Sequence, residues 1–230
     1  DPTDAVEVDG GHAHVVTAAL DRLVEGSLLA ASSDGRLLFL ETVRAFAEDR
    51  LDESGETSSV RDRHLVWVLA RAEAIVPGFD GPEPASAATT ARRLLNDARA
   101  AIHHAEQTSQ AAAIWQLVGY LAPLCFYDGL IDEALDWAAR AAAVDDGTHP
   151  EATAPGLVAA ALLATSRGDH DEIVDALERA TEAAQLAGNR RSQGRAILLG
   201  AAHEAWHQPA DALPALARGI DLCASSGDPT

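Results

Sequence analysis

The sequence predicts an all-α chain: a solenoid of helical hairpins, preceded by a segment that carries one β-hairpin. The first observation behind this is a repeat. Asp132-Glu133-Ala134-Leu135 recurs as Asp171-Glu172-Ile173-Val174 and again as Ala210-Asp211-Ala212-Leu213, each 39 residues further on. In the same register Arg140, Arg179 and Arg218 align, as do Ala141, Ala180 and Gly219, Gly129 with Gly168, and Gly188 with Gly227. Self-similarity at one period marks stacked units that bury their faces against each other. The second observation is apolar spacing of helical period through most of the chain. The third is a lone tight-turn signal, Ser32-Ser33-Asp34-Gly35, between two short apolar runs.

Taken in order, Val15, Val16, Ala19, Leu20, Leu23 and Val24 give an amphipathic helix over 15–28. The runs Leu28-Leu29-Ala30 and Leu37-Leu38-Phe39-Leu40 pair across the turn, and helical spacing resumes over 42–51 through Val43, Phe46, Ala47 and Leu51. Two helices are expected over 60–76 and 87–107, separated by the linker Pro77-Gly78-Phe79-Asp80-Gly81-Pro82-Glu83-Pro84. They form a divergent first unit. Three regular units follow at 111–149, 150–188 and 189–227. Their first helices are expected over 111–127, 154–167 and 190–207, and their second helices over 131–144, 171–187 and 210–224. Gly129, Gly168 and Gln208-Pro209 punctuate the turns, and acids crowd the second-helix starts, where they meet the positive end of the dipole. Ala134, Ala138, Ala141 and Ala180 let helices approach closely, while Leu135, Leu177, Leu213 and Leu216 fill the space between them. An N-terminal module over 1–57 and a repeat domain over 58–230 are therefore expected.

Composition removes several function classes. The chain has 230 residues, 47% of them hydrophobic and 23% charged, enough for a sizeable core without disulfides. All 17 residues of the Lys+Arg total are arginine, so no P-loop or Schiff-base lysine is present in this sequence. Methionine is absent as well, which fits a piece of a longer protein. A net charge of −19 opposes binding to nucleic acid or to anionic membranes. No run of 18 apolar residues and no basic, apolar leader occurs, and Cys125 and Cys223 read as helix-buried thiols of a reducing compartment. A cytoplasmic location is expected.

The repeats resemble tetratricopeptide repeats: a glycine, a short gap, Glu-Ala-hydrophobic and a small residue about seven positions on. Their period of 39 is longer than the usual repeat. The front segment, helix then hairpin then helix, resembles the back half of a winged helix. At Leu20-Asp21-Arg22-Leu23-Val24-Glu25-Gly26-Ser27-Leu28-Leu29 and Gly35-Arg36-Leu37-Leu38-Phe39-Leu40-Glu41-Thr42-Val43-Arg44-Ala45-Phe46-Ala47 the sequence resembles the winged-helix module of STAND-class regulatory ATPases, the large LuxR-type and SARP-type transcriptional regulators. Arg63-His64 and Leu95-Asn96-Asp97-Ala98-Arg99-Ala100-Ala101-Ile102 fit the same pattern. The resemblance implies a fold of partial winged helix plus tetratricopeptide-like array, acting as sensor and autoinhibitory arm. It also implies ATP and Mg²⁺ bound elsewhere in the parent protein, and as partners an upstream ATPase core of the same chain and an effector of unspecified identity. The acids Asp21, Glu25, Glu41, Glu48, Asp49, Asp52 and Glu53 outnumber the basic residues nearby, which suits packing on that core better than reading DNA.

The sharpest chemical motif is His203-Glu204-Ala205-Trp206-His207. On a helix this spacing sets two imidazoles one turn apart beside a potential general base. A catalytic zinc needs a third protein ligand, and only Asp211, Asp221 and Asp228 follow as carboxylates, so a zinc hydrolase is the remote alternative. The repeat register makes the same segment the end of an ordinary first helix. His103-His104 point about 100° apart and read as a solvated pair; His12 and His14 fall in the glycine-rich arm. Asp145-Asp146 and Glu48-Asp49 read as solvated faces. No Ser-His-Asp set is suggested, and the chain is expected to be neither an enzyme nor a metal protein.

A binding groove is the better functional expectation. First helices line the inner side of such an array, which gives Trp115, Gln116, Tyr120, Tyr127, Arg190, Arg191, Arg195, His203 and Trp206 as the partner- or ligand-binding residues. Trp and Arg carry binding energy most often; Trp115 and Tyr120 could equally fill gaps between repeats. Arg190-Arg191 at a helix start opposes the dipole and points to an anionic ligand or acidic partner. A free-standing tetratricopeptide scaffold is the alternative.

Overall fold

The computed structural model describes residues 10–31, 37–168, 170–205 and 209–225. It is all-α apart from one hairpin. In chain order the elements are α1 (Gly10–Glu25), β1 (Leu29–Ala31), β2 (Leu37–Phe39), α2 (Glu41–Ser54), α3 (Thr57–Phe79), α4 (Pro84–Gln107), α5 (Ala111–Tyr127), α6 (Ile131–Val144), α7 (Pro150–Thr165), α8 (His170–Leu186), α9 (Arg190–Glu204) and α10 (Pro209–Ala224). The chain divides into two compact units, Asp1–Val60 and Arg61–Thr230.

In the first unit β1 and β2 pair antiparallel, Leu29 with Phe39, Ala30 with Leu38 and Ala31 with Leu37. The turn signal Ser32-Ser33-Asp34-Gly35 lies outside the described residues. Leu29 is the one buried hydrophobic residue described in this unit. Val15, Val16, Leu28, Leu37, Leu38, Phe39, Leu40 and Phe46 stay exposed, and α2 is held by local Arg44–Glu41, Arg44–Glu48 and Arg50–Glu53 pairs.

The second unit is a run of helical hairpins, α3–α4, α5–α6, α7–α8 and α9–α10. Each of the last three closes on itself, while successive first helices pack together, α5 on α7 and α7 on α9. One hydrophobic cluster runs from Leu65 on α3 to Ala196 on α9. The repeated glycines have a backbone reason: Gly129 and Gly168, 39 residues apart, sit at φ +71° and +74°, a region that side chains oppose. Ala134, Ala138, Ala141 and Ala180 are buried as expected, and so are Leu135 and Leu177. Leu213 departs from expectation: it is 67% exposed, because no described helix packs on the outer face of α10.

Several helix ends differ from expectation: α1 runs Gly10–Glu25 rather than 15–28, α2 Glu41–Ser54 rather than 42–51, and α3 and α4 each start three residues early. Helix α3 continues through Pro77 to Phe79, so the linker shrinks to 80–83. Ile75 and Phe79 pack on the core, and a Cβ at Gly78 would come 2.9 Å from that of Ala87, a close approach that only glycine permits. Helix α7 starts at Pro150 rather than 154, since proline suits a first helical position whose N–H has no partner.

Charged side chains join α4 to the next hairpin. Arg92, Arg99 and Glu106 recur every seven residues, so they form one stripe along α4. Arg92 grips Asp128 with two bonds of 2.6 Å, Arg99 grips Glu133 at 2.6 and 2.9 Å, and Glu106 accepts from Arg140 Nε at 2.9 Å. These donors hold the Asp128, Glu133 and Glu106 carboxyls below their ordinary range.

Candidate binding surface

The sequence of the first helices decides what they leave open. Helix α7 is covered by α5, α6, α8 and α9, and its alanine-rich surface lets all of them come close. What remains exposed along it is Glu151, Pro155 and Leu162, followed by the turn after its end at Ser166, Arg167 and Gly168. On α5 the residues left partly open are Ala112, Gln116, Gly119, Tyr120 and Pro123, followed by exposed Phe126 and Tyr127. Steps of three and four place them on one strip.

The strips align across helices. Counted from each helix start, Ala112, Glu151 and Arg191 are second residues; Gln116, Pro155 and Arg195 are sixth; Pro123, Leu162 and Ala202 are thirteenth. None of these nine is buried. The rows change character along the helices, from charged and polar near the starts to apolar near the ends. Pro123 and Pro155 lie in these rows, and each removes the N–H that would serve the carbonyl four residues earlier, on Gly119 and Glu151.

Most of the residues expected in a groove take places on this face. Gln116 and Tyr120 are half-buried and Tyr127 is 67% exposed, all on the α5 strip. Burial, with the Glu73 charge nearby, pushes the Tyr120 hydroxyl up. Arg195 is exposed and Arg191 half-buried on α9; exposed Arg190 donates to Ser225 Oγ from Nε at 3.1 Å and Nη2 at 2.9 Å. Leu162, Phe126 and the two prolines were missed by sequence reasoning. The 39-residue register applied to exposed apolar positions, Pro123 to Leu162, was the signal that would have found them.

Trp115 is corrected. It is a core residue, 1% exposed. Its indole N–H donates to Asp145 Oδ2 at 2.8 Å, and its ring lies against Gly156, where a Cβ would sit 2.9 Å from Trp115 Cε3. A tryptophan on a first helix faces the neighbouring repeat when that repeat offers a glycine. Asp145 is correspondingly a structural acceptor for Trp115 and the Gly147 N–H, rather than a solvated acid. Trp206 and His207 lie outside the described residues.

Histidines also move from their expected roles. His104 is buried, its Nε2 2.7 Å from Asp62 Oδ1, because its side of α4 faces α3; His103 stays exposed beside Gln107. His203 is half-buried on α9 and its Nε2 lies 2.6 Å from Nδ1 of His170 on α8. Cys125 is buried, and burial together with the Glu133 and Asp128 charges pushes its thiol to about 12. It therefore stays protonated and unreactive at neutral pH.

Among the described residues no helix is long and apolar enough to cross a membrane. In comparisons with known proteins, no family model, no curated protein sequence and no solved structure matched the chain.

Proposed function

We propose that this chain is a recognition module: the sensing and autoinhibitory region of a STAND-type, ATP-dependent transcriptional regulator, with no reaction of its own. The observation that carries this reading is the aligned open face of α5, α7 and α9. It combines two rows with charged and polar members, Arg191 in one and Arg195 in the next, with an apolar row of Pro123, Leu162 and Ala202. Such a face suits a ligand or peptide that offers an acidic group at one end and an apolar anchor at the other. A net charge of −19 disfavours anions in general, so a partner must present its acidic group locally, against the α9 arginines.

The first unit supports the regulatory part of the reading. Its β-hairpin and flanking helices follow the order of a winged helix, and its apolar side chains are uncovered. An apolar surface of this kind marks an interaction site. In the STAND-type reading that site rests on an ATPase core of the same polypeptide, where ATP and Mg²⁺ would be held, and the array releases the core when its effector binds. In the cytoplasm, neither membrane nor nucleic acid is a partner of this segment.

The encoding gene tests the proposal. A phosphate-binding loop encoded upstream, together with constitutive ATP turnover and transcription when codons 61–230 are deleted, is the expected result. A gene without such a loop contradicts it and favours a free-standing tetratricopeptide scaffold. One observation already favours that second reading: among the described residues one hydrophobic cluster runs from Leu65 to Ala196 through the second unit's hairpins.

A further inference from the structure

The geometry points to a divalent transition-metal site, with zinc as its natural occupant, formed by His170 and His203. These residues stand at the start of α8 and in the last turn of α9, in different repeats and 33 residues apart. Their side chains nevertheless converge: Nδ1 of His170 and Nε2 of His203 lie 2.6 Å apart, with ring centroids at 4.8 Å and planes 27° from parallel. The two nitrogens face each other as a hydrogen bond; imidazole nitrogens are the donor type that zinc, copper and nickel select, and that magnesium and calcium do not.

The metric fits a small movement. Zinc–nitrogen bonds of about 2.0–2.1 Å at a tetrahedral angle need the nitrogens about 3.3 Å apart. His170 is exposed and His203 half-exposed, so a modest side-chain rotation opens the pair, and an ion reaches it directly from solvent. The charge of −19 raises the local concentration of cations. Among the described residues no group of three His, Cys, Asp or Glu surrounds the point, so the remaining positions go to water or to a donor from a bound partner. The ion would clip the second regular repeat to the third, where α8 and α9 already pack. Its binding energy would then add to the stability of the array.

Titration calorimetry of the metal-free chain with zinc chloride tests this, alongside thermal unfolding with and without zinc. The expected result is a zinc-binding event that raises the unfolding midpoint. It should be lost in His170→Ala and in His203→Ala, and retained in His103→Ala. Losing one of two ligands should weaken binding by more than the roughly 10–100-fold that changes beyond the ligands themselves produce. His170→Asn serves as a near-isosteric second variant, and unchanged helical circular dichroism shows that the variants fold. Absence of zinc binding at millimolar concentration overturns the inference. Retention of the event in either His170→Ala or His203→Ala also overturns it; loss in His203→Ala alone would assign the ion to the His203/His207 spacing within one segment.

Discussion

The two units of the chain bury themselves in opposite ways. In the second, each hairpin supplies the cover for its neighbour, so side chains from α3 to α9 join one cluster and Leu121, Leu117 and Leu163 lose all contact with solvent. In the first, two helices flank a two-stranded hairpin, and among its described residues only Leu29 is buried. A lone two-stranded sheet is marginal in water. The lesson is that repetition makes a core from local contacts, whereas a hairpin with two helices needs an outside surface to finish it.

The comparison can be broken most severely inside the array. Leu121→Ala removes a fully buried side chain of α5 and should cost about 2–5 kcal/mol in urea-induced unfolding. Gly156→Ala comes next. A Cβ there would lie 2.5 Å from the Trp115 carbonyl oxygen, which is backbone and cannot swing aside. About 1–3 kcal/mol of overpacking is expected, read as a lower thermal midpoint and as a change in Trp115 fluorescence.

A smaller effect sharpens the picture of the α4–α6 contact. Arg99 and Glu133 are 43% and 27% exposed, so a double-mutant cycle should give a coupling of no more than about 1 kcal/mol. Arg99 holds the Glu133 carboxyl below the ordinary glutamate value of 4.5. The pair's contribution is therefore complete above that value and lost as pH falls through the lowered one. The cycle repeated at neutral pH and at successively lower pH should lose its coupling as the Glu133 carboxylate becomes protonated, below the ordinary glutamate range. The smallest effect belongs to the first unit: Phe46→Ala, at a side chain 60% exposed, should change the stability of the chain alone by within about 0.5 kcal/mol.

Much of the fold was legible because it is periodic. The Asp132, Asp171 and Ala210-Asp211 register marks the starts of α6, α8 and α10 to within two residues. Pro77 misled the reading of α3, since a proline signals a stop whether or not the last turn is held by tertiary packing. The open face was legible at Gln116, Tyr120 and Tyr127, which share a strip, and illegible at Trp115. Amphipathic spacing identifies an apolar side chain but not which neighbour has a glycine to receive it, and the answer lay 41 residues away at Gly156. The His170–His203 pair was hidden for the same reason. His203 was read within its own helix, while its partner sits at the start of α8 in the preceding repeat.

Hydrogen exchange of the intact chain, followed peptide by peptide, tests the central contrast most directly. The account predicts that amides of α5 and α7 exchange only through global unfolding, while those of α1 and α2 exchange orders of magnitude faster through local opening. Equal protection in both units would contradict it, because a first unit that stable would have to own a core that its exposed Val15, Leu38, Phe39 and Phe46 do not make.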